Sequence, residues 1–274
     1  MATMIHPTAI VSSQARLGAG VSIGPYAIVE DGVELGEGCV IHAHASVRRG
    51  SVLGARVQVH PGAVVGGPPQ MLKWDEATPS GVRVGEGTIV REGVTINRST
   101  RAGESTVLGS DCFLMAMSHI AHDCVLGDRV ILANNVLLAG HVSVGASSFI
   151  GGGAGIHQFV RIGELVMVGG LSRITKDLPH FLLVAERDEV SGVNQIGLRR
   201  RGLPREVIAE IKALFHRVYG AVHPRSEAAS ALGAGVAVSA EGRRFLEFFA
   251  GGKRGIAHPS RLGGEAEAGE PEVG

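Results

Sequence analysis

Leu17-Gly18-Ala19-Gly20-Val21-Ser22-Ile23-Gly24-Pro25-Tyr26-Ala27-Ile28-Val29 places a large aliphatic residue at every sixth position, and the register continues through Leu35, Ile41, Val47, Leu53, Val59 and Val65. It extends back to Val11 and Ile5, resumes at Val84, Val90 and Ile96, and runs from Leu108 to Ile174. Between Val84 and Ile174, Ala102 is the only register position that is not Ile, Leu or Val. Two residues before each of these positions the side chain is usually short, as at Val21, Ala27, Cys39, Ala45 and Ser51. The residue after it is often glycine, as in Leu17-Gly18, Ile23-Gly24 and Leu126-Gly127.

An amphipathic helix repeats its apolar face near about 3.6 residues, and an ordinary half-buried strand alternates only over its own length. A period of six held over most of the chain indicates a solenoid whose rungs are too thin to bury a core alone. Three hexads close one triangular coil of eighteen residues, each hexad giving a short parallel strand with its aliphatic residue turned inward. The short residue two positions earlier shares that inner face because strand side chains alternate. The glycines are expected at the corners, where a turn can demand positive φ. With Ala102 counted, the register supplies twenty-seven hexads, or nine coils.

Composition agrees with a narrow prism. Glycine makes up 41 of 274 residues, well above the usual share of about 7 %, and aromatic residues, which such a prism cannot hold, are scarce. Lys and Arg equal Asp and Glu at 26 each, so nothing general points to nucleic acid or to a polybasic membrane surface. Cys39, Cys112 and Cys124 fall on the short inward register, where they fill space rather than make disulfides or bind metal. No apolar segment opens the chain and no run approaches membrane-spanning length, so a cytoplasmic protein without an integral membrane segment is expected.

The pattern breaks twice. Residues 66–83 contain Gly67-Pro68-Pro69-Gln70-Met71-Leu72-Lys73-Trp74 and read as an excursion from one corner, of the kind that carries binding groups on a rigid scaffold. Beyond Lys176 the hexads stop. From Pro204 to Tyr219 the apolar residues take helical spacing, a short segment Ser226 to Leu232 follows, and Ser239 caps a further helix to Phe249 in which Gly242 is an imperfection. The expected domains are a β-helix over 1–180, a mainly helical domain over 181–258 that covers the last rung, and a loose tail over 259–274.

Polar residues interrupt the regular part in Met117-Ser118-His119-Ile120-Ala121-His122-Asp123. One coil on comes Leu138-Ala139-Gly140-His141, and another coil on comes Ile156-His157-Gln158. Positions 122, 140 and 158 are eighteen apart and therefore stack, about one strand spacing between neighbours. His122 is suited to removing a proton near neutral pH with Asp123 orienting it, and the Gly140 N–H to stabilising an oxyanion. Two alternatives stand beside this: a row of solvated surface histidines, and a zinc site of three imidazoles, which Gln158 in place of a further histidine disfavours.

These segments resemble the bacterial UDP-N-acetylglucosamine acyltransferases, which carry out the first acylation of lipid A synthesis. The likeness spans residues 5–258. It rests on His119-Ile120-Ala121-His122-Asp123, Leu138-Ala139-Gly140-His141-Val142 and Gly155-Ile156-His157-Gln158-Phe159, with Gly169-Gly170, Gly192-Val193-Asn194, Leu198-Arg199-Arg200-Arg201-Gly202 and Phe248-Phe249-Ala250 following. It implies an all-β solenoid, a left-handed parallel β-helix, which is an exception to the right-handed crossover rule. It also implies transfer of a 3-hydroxyacyl group from acyl carrier protein to the 3-OH of a UDP-sugar, by a homotrimer, with no cofactor and no metal.

By that likeness His122 is the base, Asp123 orients it and Gly140 holds the oxyanion. His141 and Gln158 hold the sugar, and His119 and His157 lie near the acyl and phosphopantetheine groups. Gln70, Leu72 and Lys73 belong to the nucleotide-sugar loop. Gly170 limits the acyl pocket, and Asn194, Arg200 and Arg201 contact the nucleotide side. Read without the likeness, the arginines are a solvated basic patch or a surface for an acidic carrier protein. Met71 and Asn97 depart from the Asp and His common in the family. They keep open N-acylation of a 3-amino UDP-sugar and a non-catalytic nucleotide-sugar scaffold, and acetyl transfer from coenzyme A remains a further alternative.

Overall fold

The computed structural model describes residues 2–259. Twenty-six short strands, from Met4–Ile5 to Arg173–Ile174, are dealt in turn to three parallel sheets. Each of the first twenty-three strands pairs with the third strand beyond it, so that Ile5 lies opposite Ile23, Val11 opposite Val29 and Leu17 opposite Leu35. The sheets are the faces of a triangular prism: the first face has twelve strands including three beyond the repeat, the second nine and the third eight.

The aliphatic register forms the core. Ile41, Val47, Val59, Ile96, Ile120 and Leu138 are fully buried, and so are the short residues two positions before them, among them Ala45, Val57, Val94 and Val136. Cys39, Cys112 and Cys124 are free and buried, and their thiols donate to the carbonyls of Gly54, Gly127 and Ala139. Burial pushes the Cys124 thiol up to about 12. Only the first coil lacks cover among the described residues, leaving Ile5 47 % exposed.

The corners differ from the expectation in an instructive way. The glycine that follows the aliphatic residue has no positive φ in most coils; it allows close stacking. A Cβ on Gly127 would sit 2.7 Å from the Ala146 nitrogen, inside van der Waals contact. The left-handed residue comes three after the aliphatic position and is frequently not glycine, as at Asp111, Met117, Asp123, Asn135, His141 and Phe159. That conformation costs an L-residue about 1–2 kcal/mol. Here a backbone bond to the previous coil opposes the cost, as in Asn135 N–H to Ala116 O and His141 N–H to His122 O.

Two insertions leave the prism, both from the edge between the second and third faces. The first, after Val65, stretches the pairing offset to thirty-one residues, Leu53 opposite Val84, where uninterrupted coils such as the first show eighteen. The second follows Asn97 and corrects the sequence reading. Ala102 lies in an exposed turn, not on a strand, so the repeat has twenty-six strands rather than twenty-seven. Ile96 pairs with Ile120, twenty-four residues away, and the added hexad is a loop. It packs on the first insertion through Arg98 N–H to Gly67 O, Ser99 N–H to Gly81 O and Gly103 N–H to Pro79 O.

Past Ile174 the first face continues. Leu182–Ala185 pairs in parallel with Met167–Val168, and Glu189–Val193 returns antiparallel, so the segment expected to be mainly helical begins with strands. Four helices follow: α1 (Gln195–Arg200), α2 (Arg205–Tyr219), α3 (Pro224–Gly233) and α4 (Ala240–Glu247), the last running into a 3-10 turn at Phe248–Ala250. Helix α1 was not anticipated. Ser239 caps α4 by accepting from Gly242 N–H at 2.9 Å. Gly242 lies close against α2, where an added Cβ would come 2.9 Å from the Glu210 carboxylate and 3.1 Å from Leu214 Cδ1. Arg161 ties this cap to the last coils, pairing with buried Asp177 and lying over the Phe248 ring. Pro259 belongs to a short strand beside Val190, and residues 260–274 of the expected tail lie outside the described residues. No described helix is long and apolar enough to cross a membrane.

Leu132 is fully buried, stacked between Leu114 and Ile150. Replacing it with Ala removes buried methyl groups from a layer that cannot collapse without breaking the coil pairing. Denaturant unfolding should show a loss of about 2–5 kcal/mol.

Candidate active site

One edge of the prism carries the polar cluster. His122 and Asp123 turn the chain from the second face to the third, and Gly140-His141 and Gln158-Phe159 do the same in the next two coils. The stacking proposed from the spacing is present and tight. His141 N–H donates to the His122 carbonyl at 3.0 Å and Phe159 N–H to the Gly140 carbonyl at 3.1 Å. The His122 ring lies against Gly140 so closely that a Cβ at 140 would fall 2.6 Å from its Cε1. The glycine is therefore required for the imidazole to occupy its place, and the Gly140 N–H donates to no acceptor among the described residues.

His122 Nδ1 lies 2.7 Å from Asp123 Oδ2. Asp123 is nearly buried and gathers further donors: Ser99 Oγ at 2.5 Å, Thr100 Oγ1 at 2.6 Å and the Thr100 N–H. Its own N–H donates to Thr106 Oγ1 at 2.8 Å. Burial raises the pKa of this carboxyl, but the hydrogen bonds from Ser99, Thr100 and His122 outweigh it and hold the group down at about 2. An ionised Asp123 accepts a hydrogen bond from the His122 Nδ1–H. That leaves the lone pair on Nε2, which makes no hydrogen bond among the described residues.

His141 meets His122 edge-on, with ring centroids 5.1 Å apart, and stacks on Phe159 at 4.5 Å. Its Nε2 is 3.7 Å from Asp123. Burial lowers the His141 pKa against the opposing pull of Asp123, and burial together with the charge of His122 lowers that of His119. His119 Nδ1 lies 2.7 Å from Thr95 Oγ1. A groove of about 730 Å³ runs along the second face beside the cluster, lined by Gln70, Thr95, His119, Leu137, Ala139 and His157. The potential ligand atoms of His122, Asp123 and His141 lie within 4.8 Å of one another, near enough to hold a divalent ion. The carboxylate, however, is already engaged by hydroxyl, amide and imidazole donors.

The structure thus gathers His122, Asp123, Gly140, His141 and Gln158 on one edge, with Gln70, His119 and His157 along the adjoining face. Leu72 and Lys73 stand exposed on the first insertion. Four of the predicted residues lie elsewhere on the chain. Gly170 is on the edge between the first and second faces, beside Gly152. Asn194 caps α1, accepting from Gly197 N–H and donating to Leu165 O, and Arg201 donates to Ser147 Oγ. Both contacts lie on the edge between the third and first faces, and Arg200 is exposed nearby. Asn97 is turned into the fold, donating to Pro68 O at 2.9 Å. Ser99, Thr100, Thr95 and Thr106 went unrecognised as partners of the histidines and Asp123. The polar run Asn97-Arg98-Ser99-Thr100, together with the lone weak register residue at 102, was the available signal.

A family model described as UDP-N-acetylglucosamine O-acyltransferase, domain 2, matches residues 177–257. The bacterial transferase hexapeptide model matches residues 14–49 and 105–140. An acyl-[acyl-carrier-protein]--UDP-N-acetylglucosamine O-acyltransferase of Thiobacillus denitrificans is 40 % identical over 93 % of this chain and 99 % of its own. The protein of that name from Synechocystis is 40 % identical over 63 % of each chain. Among solved structures, LpxA of Bacteroides fragilis, a UDP-N-acetylglucosamine acyltransferase, superposes with a TM-score of 0.87 at 35 % identity, covering 92 % of this chain and 99 % of that one.

The chain belongs to the UDP-N-acetylglucosamine acyltransferase family. Its prism is accordingly a left-handed parallel β-helix. Two outcomes check the geometry. Gly140→Ala should displace the His122 ring and lower kcat about a hundredfold, with the far-ultraviolet circular dichroism of the folded prism retained. For Asp123, the folded pKa lies below the ordinary value of 3.8. Its ionised form therefore adds stability that is fully present above about pH 5 and fades as pH falls toward about 2. Acid unfolding curves of Ser99→Ala/Thr100→Val should show a smaller loss of stability across that window than the wild type.

Proposed function

We propose that the chain transfers a 3-hydroxyacyl group from the thioester of acyl carrier protein to the 3-OH of UDP-N-acetylglucosamine, with His122 as general base. The supporting observation is the placement of one imidazole. Its Nδ1 is engaged by Asp123, its face rests on Gly140, and its Nε2 is unencumbered.

In the proposed reaction Nε2 takes the hydroxyl proton as the sugar oxygen attacks the thioester carbonyl. The Gly140 N–H donates to the oxyanion of the tetrahedral intermediate, and Asp123 stabilises the imidazolium that forms. Collapse breaks the carbon–sulfur bond. The departing phosphopantetheine thiolate then receives the proton from His122, which restores the starting state. No cofactor or metal enters this scheme.

His141 and Gln158 flank the acceptor on the same edge, and the groove past His119 and His157 suits the acyl and pantetheine chain. Its apolar lining, including Leu137 and Ala139, favours a hydrocarbon over a short polar acyl group. Gly170 presents no side chain at the far edge of that face, consistent with a long acyl chain.

Asn194, Arg200 and Arg201 lie on a different edge from His122 within one chain, so they join the site only from a neighbouring copy. The proposal therefore includes a homotrimer with each cleft shared between subunits, working in the cytoplasm with its carrier-protein donor. His122→Ala should lower kcat at least a thousandfold with unchanged unfolding behaviour, measured by mass spectrometry of the acylated UDP-sugar. Co-expressing His122→Ala subunits with Arg200→Ala/Arg201→Ala subunits should restore part of the activity that each variant lacks alone. Full activity of His122→Ala overturns the base assignment, and a monomer mass by light scattering at full activity overturns the shared cleft.

A further inference from the structure

Arg98 is a buried cation with no carboxylate in direct contact; the charges of Glu76 and Glu30 reach it only from farther away, against that of Arg49. Only 4 % of its surface is exposed, and it forms no ion pair among the described residues. Its Nε is buried without a hydrogen-bond partner. Removing a charge from water under such conditions carries a large penalty unless other contacts replace the lost solvation. Those contacts come almost wholly from the first insertion: Arg98 Nη2 donates to Glu76 O at 2.8 Å, Arg98 N–H donates to Gly67 O, and the guanidinium lies over the Trp74 ring at 4.6 Å. If the insertion lifts away, the guanidinium loses the Glu76 carbonyl and the indole face, and the Arg98 backbone N–H loses its acceptor on Gly67.

The residues on either side of Arg98 extend the same bridge. Asn97 donates to Pro68 O, and Ser99 accepts at its carbonyl from Ser80 Oγ at 2.5 Å, again holding the insertion. The Ser99 and Thr100 hydroxyls turn the opposite way, onto the Asp123 carboxylate. One four-residue segment thus grips the loop that carries Gln70, Leu72 and Lys73 with one hand and the orienting carboxylate with the other.

We propose that Arg98 is a positioning residue that couples the seating of the 66–83 insertion to the geometry of the His122–Asp123 pair. The kinetic part rests on the acyltransferase reading; the conformational part does not. Seating the insertion fixes Arg98, and fixing Arg98 sets the register of the two hydroxyls on Asp123. By linkage, loosening Asp123 loosens the insertion in return.

Trp74 is the only tryptophan in the chain, so acrylamide quenching of its fluorescence in the full-length protein, without substrate, reports the insertion directly. Arg98→Lys keeps the charge and loses the planar contact with the indole; its quenching constant should rise about twofold. Asp123→Ala touches no residue of the insertion, yet should raise the same constant through Ser99 and Thr100. An unchanged constant in either variant overturns the coupling.

In the acyl-transfer assay, Trp74→Ala removes only a loop side chain and leaves the prism intact. It should raise KM for UDP-N-acetylglucosamine and also lower kcat, each about fivefold or more. The Arg98→Lys/Trp74→Ala double variant should be little worse than either single one, as expected for two halves of one contact. A rise in KM with kcat unchanged, or fully additive losses, overturns the link to Asp123. Absence of acyl transfer by the wild type counts against the acyltransferase reading alone, because the quenching comparison still decides the coupling.

Discussion

Everything in this molecule depends on the backbone bonds that tie each coil to the next. A strand of two residues has almost no stability alone, and here each is held above and below by its neighbours in a parallel ladder. Close stacking sets the remaining rules. It excludes a Cβ after the aliphatic residue, as at Gly127, and limits the interior to one large aliphatic and one short side chain per hexad. It also allows left-handed corner residues that would otherwise be unfavourable, because their N–H groups find carbonyls in the coil before.

The proposed chemistry lies where this regularity meets a corner. Asp123 and His141 occupy the left-handed position, and His122 and Gly140 immediately precede it in successive coils. Residues far apart in the chain are brought into contact by the stacking itself, so the imidazole, its orienting carboxylate and the facing glycine need no flexible loop to assemble. The backbone holding them is bonded on both sides, which suits a site whose donors must already be in place before charge develops on the substrate.

The prism was legible because its signal is periodic: spacings of two and six report faces directly, and Ile41, Ile96 and Leu138 are buried where the register places them. The column of His122, Gly140 and Gln158 followed from the same arithmetic. What escaped was whatever broke the period. Ala102 kept the count by coincidence while its hexad left the prism as a loop, and that loop delivers Ser99 and Thr100 to Asp123 across an offset no repeat predicts. The hairpin of Leu182–Ala185 with Glu189–Val193 and the six-residue α1 were too short for periodicity to reveal. The corner glycines divide in two: those directly after the aliphatic residue, such as Gly127, are steric, and those three after it, such as Gly20, Gly32 and Gly93, hold the expected positive φ. Asn194, Arg200 and Arg201 were assigned by likeness alone, and their distance from His122 within one chain is a matter of which edge the cap overlies, which no motif encodes.

Both insertions depart from the same edge, and apart from a one-residue shift between Val65 and Gly67 the strand pairing on either side remains in step. Such an edge is a natural place for grafting. A segment of different length can be inserted there with the flanking rungs still paired, whereas an insertion within a face would shift every later residue out of line. Diversification of what the enzyme grips is thereby separated from the architecture that keeps it folded.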